Sequence, residues 1–198
     1  MRFSGRRFRF LDKLTLHVSK NDRLERISFI YSFRMNSRII VREIEASEIS
    51  NLDNFLYDAI FVSDEIERRD KSIIKIPELA RYIAGFGKDS DLCLVAELQG
   101  ELIGAIWIRI FKDNERGYGY LDSTTPELSM SVKSNHRQQG LGTYLLLTMI
   151  DRLIHLKYEQ VSLSVDNLNY ACKFYQNMGF EVVNTDGKST KMRKRLTI

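Results

Sequence analysis

The segment Asn135-His-Arg-Gln-Gln-Gly-Leu-Gly-Thr-Tyr-Leu-Leu146 lies between two patterns of different period, and that change constrains the fold more than any other feature of the chain. Ahead of it, Glu127-Leu-Ser-Met-Ser-Val132 alternates with Leu128, Met130 and Val132 on one side, as a half-buried strand does. Behind it, Leu141, Leu145, Met149, Leu153 and Leu156 recur at three- or four-residue spacing, with Leu146 and Ile150 alongside. This is the apolar stripe of a helix. In a strand-turn-helix unit the first helical N–H groups lack a backbone acceptor, and their partial positive charge makes the helix start an anion site. Gly140 and Gly142 let a bulky group approach the main chain, and Arg137 adds a full charge. A phosphate or pyrophosphate suits the turn. The same glycines also suit a tight turn in which they serve packing alone. A P-loop is disfavoured because no lysine follows Gly142, and a dinucleotide fingerprint because the spacing is R-x-x-G-x-G.

That spacing, Arg137-Gln138-Gln139-Gly140-Leu141-Gly142, resembles the pyrophosphate-binding turn of the GNAT superfamily of acyl-CoA N-acyltransferases. Other stretches agree with the resemblance. Val161 to Val165 reads as a strand, and Asn169-Tyr-Ala-Cys-Lys-Phe-Tyr175-Gln-Asn-Met-Gly-Phe180 as a short helix closed by a glycine, similar to the family's N-x-A-x-x-x-Y-x-x-x-G-F motif. Ile39 to Ile44, then a helix with Ile49, Leu52, Phe55, Leu56 and Ile60 inward, looks like the family's first strand and helix. Leu92 to Leu98, a Gln99-Gly100 turn and Leu102 to Phe111 form one predicted hairpin. Phe180 to Val183, the Asp186-Gly187 turn and Lys188 to Leu196 form a second. The resemblance covers about residues 38 to 196. Ser134, His136 and Tyr170 depart from residues common in the family, and none removes a backbone donor.

The resemblance implies an α/β fold: a twisted, mostly antiparallel sheet of about seven strands, parallel where the coenzyme strand meets the next, with helices on both faces. It implies acetyl-CoA as co-substrate, with Arg137, Gln138, Gln139, Gly140, Leu141, Gly142 and Thr143 around the pyrophosphate. Met130 and Val132 would pair through their main chain with pantetheine, and Asn169 would bond the same arm. The main chain from Ser129 to Val132 would supply an N–H to the oxyanion. Tyr175 matches the position of the family's acid. An amine of pKa about 10.4 must lose a proton before it attacks a thioester, and Glu127, at the head of the coenzyme strand, is the candidate base. A solvated strand-end glutamate and a tyrosine that only packs helix on sheet are the plainer readings of these two residues. Trp107 and Arg109 share one strand face and either line the acceptor pocket or pack and cap the sheet. Direct transfer of this kind needs no metal.

Composition sets outer limits. With 198 residues, 43% of them hydrophobic, the chain can bury one ordinary core, and no apolar run approaches the roughly 20 residues of a membrane span. Two cysteines, Cys93 and Cys172, make neither a disulfide framework nor a metal spacing, which fits a reducing cytoplasm. The net charge of +4 divides unevenly, since residues 1–38 hold 10 Lys/Arg against 3 Asp/Glu and leave 39–198 with 20 against 23. The domain from 39 to 198 is therefore acidic, and 1–38 is a basic extension expected to be dispensable for chemistry. Its alternating arginine and phenylalanine would also suit RNA or an anionic membrane, the weaker reading. Phe29, Ile30, Tyr31 and Phe33 would alternatively pack on the sheet or on a second copy in a homodimer. The acidic-basic run Asp64 to Lys71 reads as a solvated face that the resemblance puts over the acceptor site, and Pro77 to Tyr82 as the first turn of a helix ending near Gly85. The expected activity is N-acetyl transfer to a small-molecule or protein amine. The rival from another class is a catalytically silent acetyl-CoA sensor or interaction module.

Overall fold

A computed structural model describes residues 38–60 and 70–196. Seven strands form one sheet in the order β1-β2-β3-β4-β5-β7-β6. They are β1 (Ile39–Glu43), β2 (Leu92–Leu98), β3 (Glu101–Arg109), β4 (Glu127–Val132), β5 (Gln160–Asp166), β6 (Glu181–Asp186) and β7 (Ser189–Arg195). Among the described residues four α-helices accompany them: α1 (Leu52–Ala59), α2 (Pro77–Ala80), α3 (Leu141–His155) and α4 (Ala171–Asn177). The α/β sheet with helices thus follows the sequence expectation. The basic extension up to residue 37 and most of the Asp64 to Lys71 run lie outside the described residues.

The strands divide the core into two layers. On β3, Ile106 and Ile108 face α3 while Ala105 and Trp107 face α1, and all four are fully buried, which explains why this strand reads as continuous apolar sequence rather than alternation. Under α3, Leu145, Leu146, Met149 and Leu153 are shut from solvent, each contributing about 1.5–3 kcal/mol. Opposite, Leu52, Phe55 and Leu56 of α1 meet Cys93, Val95 and Trp107. The helix expected from Ile49 to Ile60 is broken, because a 3-10 turn, Ala46–Asn51, precedes α1. Arg42 fixes that turn by donating to both carboxylate oxygens of Glu48, at 2.7 and 2.8 Å, and to Glu97 at 2.9 Å. α2 is likewise shorter than expected and continues as turns to Gly85. There the carbonyls of Arg81 and Ala84 accept from the Arg109 guanidinium, at 2.9 and 2.7 Å.

All neighbouring strands are antiparallel except β4 and β5, which run parallel and register at Glu127 with Ser162. Beyond that pair the main chain of β4 is not bridged to β5. The consequence is a wedge open toward the C-terminal end of β4.

Candidate active site

The wedge leads into a cavity of about 860 Å³, lined by β4 from Met130 onward, the turn that follows it, the end of α1 and the start of α4. At the head of α3 the first helical bond runs from the Tyr144 N–H to the Gly140 carbonyl, at 3.0 Å, so the N–H groups of Leu141, Gly142 and Thr143 have no helical acceptor. Gly140 has φ +91° and Gln138 φ +59°. A non-glycine residue in the left-handed region is unusual, and here it turns successive N–H groups toward one side. A Cβ on Gly142 would meet only the Met130 methyl, at 3.6 Å, so the space beside that backbone is open. Arg137 donates through Nε to the Val132 carbonyl at 2.7 Å and reaches the Asp58 carbonyl at 3.4 Å, holding its charge across the mouth of the wedge.

Of the residues expected to hold coenzyme, Met130, Val132, Arg137, Gln138, Gly140, Gly142, Thr143 and Asn169 all border this cavity. Gln139 instead donates its amide to the Asn135 carbonyl at 2.9 Å, and the Leu141 side chain lies in the core. The Asn169 side-chain Oδ1 accepts from the Ala171 N–H at 2.9 Å just ahead of α4, which leaves its amide NH₂ for the cavity. Ser131, a lining residue whose side chain the sequence did not single out, has a buried hydroxyl with no partner among the described residues. A buried orphan hydroxyl, unpaired helical N–H groups and open space beside glycine together fit a ligand that carries phosphates and amides.

Tyr175 also borders the cavity, with its ring set edge-on to Phe174 and Phe180 at 5.2 and 5.5 Å. Burial pushes its phenol well above the usual range, so it keeps its proton at any neutral pH.

Glu127 stands apart, at the opposite end of β4, and is 3% exposed. Its Oε1 accepts from the Tyr82 hydroxyl at 2.6 Å and from the Gly119 N–H at 2.7 Å, while the buried Oε2 has no partner among the described residues. Burial raises its pKa from the usual 4.5 to about 7, against the opposing pull of these two bonds and of Lys191 and Arg81. The strap Gly117-Tyr118-Gly119 covers it. A Cβ on Gly117 would lie 2.2 Å from Oε2, and one on Gly119 2.9 Å from the carboxyl, so only glycine admits this approach. On its outer side Gly117 lines a second cavity of about 380 Å³ with Asp113, Tyr120, Asp122 and Lys191. The R-G-Y-G-Y stretch was the available signal for this contact, as isolated glycines mark close approach.

Trp107 and Arg109 border neither cavity. Trp107 donates its indole N–H to the Tyr82 carbonyl at 3.2 Å. Arg109 pairs with Asp91 at 3.1 Å and lies over the Phe86 ring. Both therefore staple the 81–91 segment to the sheet. Among the described residues no group of His, Cys, Asp and Glu could hold a metal ion, and no helix is long and apolar enough to cross a membrane.

Residues 55–180 match the model of the acetyltransferase (GNAT) family. Solved structures with the same fold include the PaiA N-acetyltransferase of Thermoplasma acidophilum in complex with coenzyme A, at 21% identity and TM-score 0.57, covering 79% of this chain and 98% of that one. The ribosomal-protein-S18-alanine N-acetyltransferase of Escherichia coli matches at 14% identity and TM-score 0.56, over 81% and 95% of the two chains. The spermidine/spermine N-acetyltransferase SpeG of Vibrio cholerae matches at 18% and 0.54, over 81% and 95%. A search of curated protein sequences finds no match.

Proposed function

The chain belongs to the GNAT acetyltransferase family and is an acetyl-CoA-dependent acetyltransferase, and on that premise we propose that its acceptor is a primary amine of a small molecule or protein, attacked directly in a ternary complex. When bound, acetyl-CoA supplies an activated thioester. The observation that carries the amine reading is Glu127, a buried carboxyl whose pKa is raised to about 7 and whose Oε2 is free to take a proton.

Each residue then has a task. Glu127 and Ser129 face the same side of β4 two residues apart, about 7 Å along a strand, a span that a short relay of waters bridges. Glu127 thus takes the ammonium proton of an amine seated beside Ser129. As the nitrogen bonds to the acetyl carbon, negative charge grows on the acetyl oxygen, and main-chain N–H groups of the wedge between Ser129 and Val132 face it. The carbon–sulfur bond breaks, the Tyr175 hydroxyl donates its proton to the departing sulfur from the cavity wall, and the second proton that the nitrogen loses as the amide forms restores the hydroxyl.

Binding is expected to fail in Gly142→Val. The extra methyls occupy the open space beside the helix start, and calorimetry should read an acetyl-CoA affinity lowered by at least about tenfold with the melting temperature unchanged. Unchanged affinity would put the coenzyme elsewhere. The reaction itself is tested with a panel of amines in an assay that reports free coenzyme A. At least one amine should speed thiol release well above hydrolysis, whereas tight acetyl-CoA binding with no release for any amine would make the chain a sensor.

A further inference from the structure

We propose that Tyr82 is a positioning residue for the base: its hydroxyl, with the Gly119 N–H, saturates Oε1 of Glu127 and leaves Oε2 as the single proton-accepting site. The inference rests on the reading of Glu127 as the base. Its first ground is geometry. The Tyr82 hydroxyl gives its one proton to Glu127 at 2.6 Å, because an ionised carboxylate can only accept, and its oxygen in turn accepts from the Tyr118 N–H at 2.7 Å. The direction of the bond to the carboxylate is therefore fixed. Oε1 receives two donors and Oε2 none.

The second ground is the rigidity of the support. The Tyr82 ring is held edge-on by Phe111 at 5.2 Å and lies parallel to the Tyr118 ring at 6.4 Å. Its main chain is pinned from below: the Tyr82 carbonyl accepts from Trp107, and the carbonyls of Arg81 and Ala84 accept from Arg109. Two buried side chains of β3 thus spend their donors on fixing the segment that carries this phenol. Trp107 and Arg109 act on the reaction through Tyr82 rather than by touching an acceptor.

The third ground is electrostatic. Tyr82 and Arg81 act on Glu127 from the turns after α2 and Lys191 from β7, while Tyr118 of the strap stacks on Tyr82 and Arg109, the paired position on β3, turns its guanidinium to Asp91 and the Arg81 and Ala84 carbonyls. Among them only Tyr82 donates directly from a side chain to the carboxyl. A donor to the charged form favours ionisation, so it offsets part of the burial that raises the carboxyl's pKa. Glu127 also holds the Tyr82 phenol well above its usual range, after burial, so the phenol stays a donor.

The test is the pH profile of kcat/KM together with a direct carbon-13 titration of the Glu127 carboxyl in the full chain, its signal assigned by its absence in Glu127→Gln. In Tyr82→Phe the ring remains and the donor is lost, so both the acid limb of the profile and the carboxyl titration should move up by about one pH unit. Placing 3-fluorotyrosine at position 82 keeps the fold and makes a stronger donor, so both should move down. If Glu127→Gln is inactive but neither change at position 82 moves the titration, Tyr82 is scaffold and the proposal is overturned. If the titration moves as expected while Glu127→Gln keeps full turnover, Tyr82 tunes a carboxyl that is not the base, which overturns the positioning role through the failure of the underlying reading.

Discussion

Glu127→Gln is expected to lower turnover by on the order of 10²- to 10⁴-fold while making the folded chain more stable above neutral pH. The first effect removes the proton acceptor and keeps the shape. The second follows from the raised pKa, 4.5 in an unfolded chain against about 7 in the fold. Below pH 4.5 the carboxyl is protonated in both states and folding meets no penalty from it. As pH rises toward 7 the unfolded chain loses that proton while the fold still retains it, so stability falls across this window and levels off above it. The shift corresponds to about 3 kcal/mol for a group this deeply buried. Glutamine imitates the protonated form, so the variant should lack this fall. Thermal melts of the two chains at pH 4.5 and pH 8 should show a gap in favour of the variant that opens only at pH 8. A parallel fall in both chains would contradict a raised Glu127 pKa.

Tyr175→Phe is expected to cost at least about 10²-fold in turnover with acetyl-CoA affinity nearly unchanged. Phenylalanine keeps the edge-on contacts with Phe174 and Phe180, so the ring's packing role survives and the hydroxyl alone is lost. Because burial holds this phenol above its usual range, it does not ionise near neutrality and its removal should leave the alkaline limb of the rate profile unmoved. A variant with full turnover on the best amine would reduce Tyr175 to a packing residue.

Much of the architecture was readable because it depends on local period. β4 falls where alternation placed it and β2 where the hairpin reading placed it, and α3 ends at His155, one residue short of the predicted stripe. The turn between β4 and α3 was equally legible, since a glycine at positive φ and a helix start are local requirements. The environment of Glu127 was not. Tyr82 is 45 residues away along the chain, and the bond between them exists only because β3 side chains pin the intervening segment. Trp107 and Arg109 show the same limit. Their shared strand face was correctly read, but the face is covered by the 81–91 segment, which has no periodic signature of its own. Ser131 was missed for the opposite reason: a small polar residue in an alternating strand looks solvent-facing until a helix packs over it.

The central claim is that acetyl passes in one step from the thioester to an amine held in the same complex. Initial rates with acetyl-CoA and the best amine both varied, combined with intact-mass analysis of the protein after acetyl-CoA alone, test it most directly. Intersecting reciprocal plots and an unmodified protein mass are the predicted result. Parallel plots with a catalytically competent acetylated protein would contradict it, because the acetyl group would then pass through a residue of the chain.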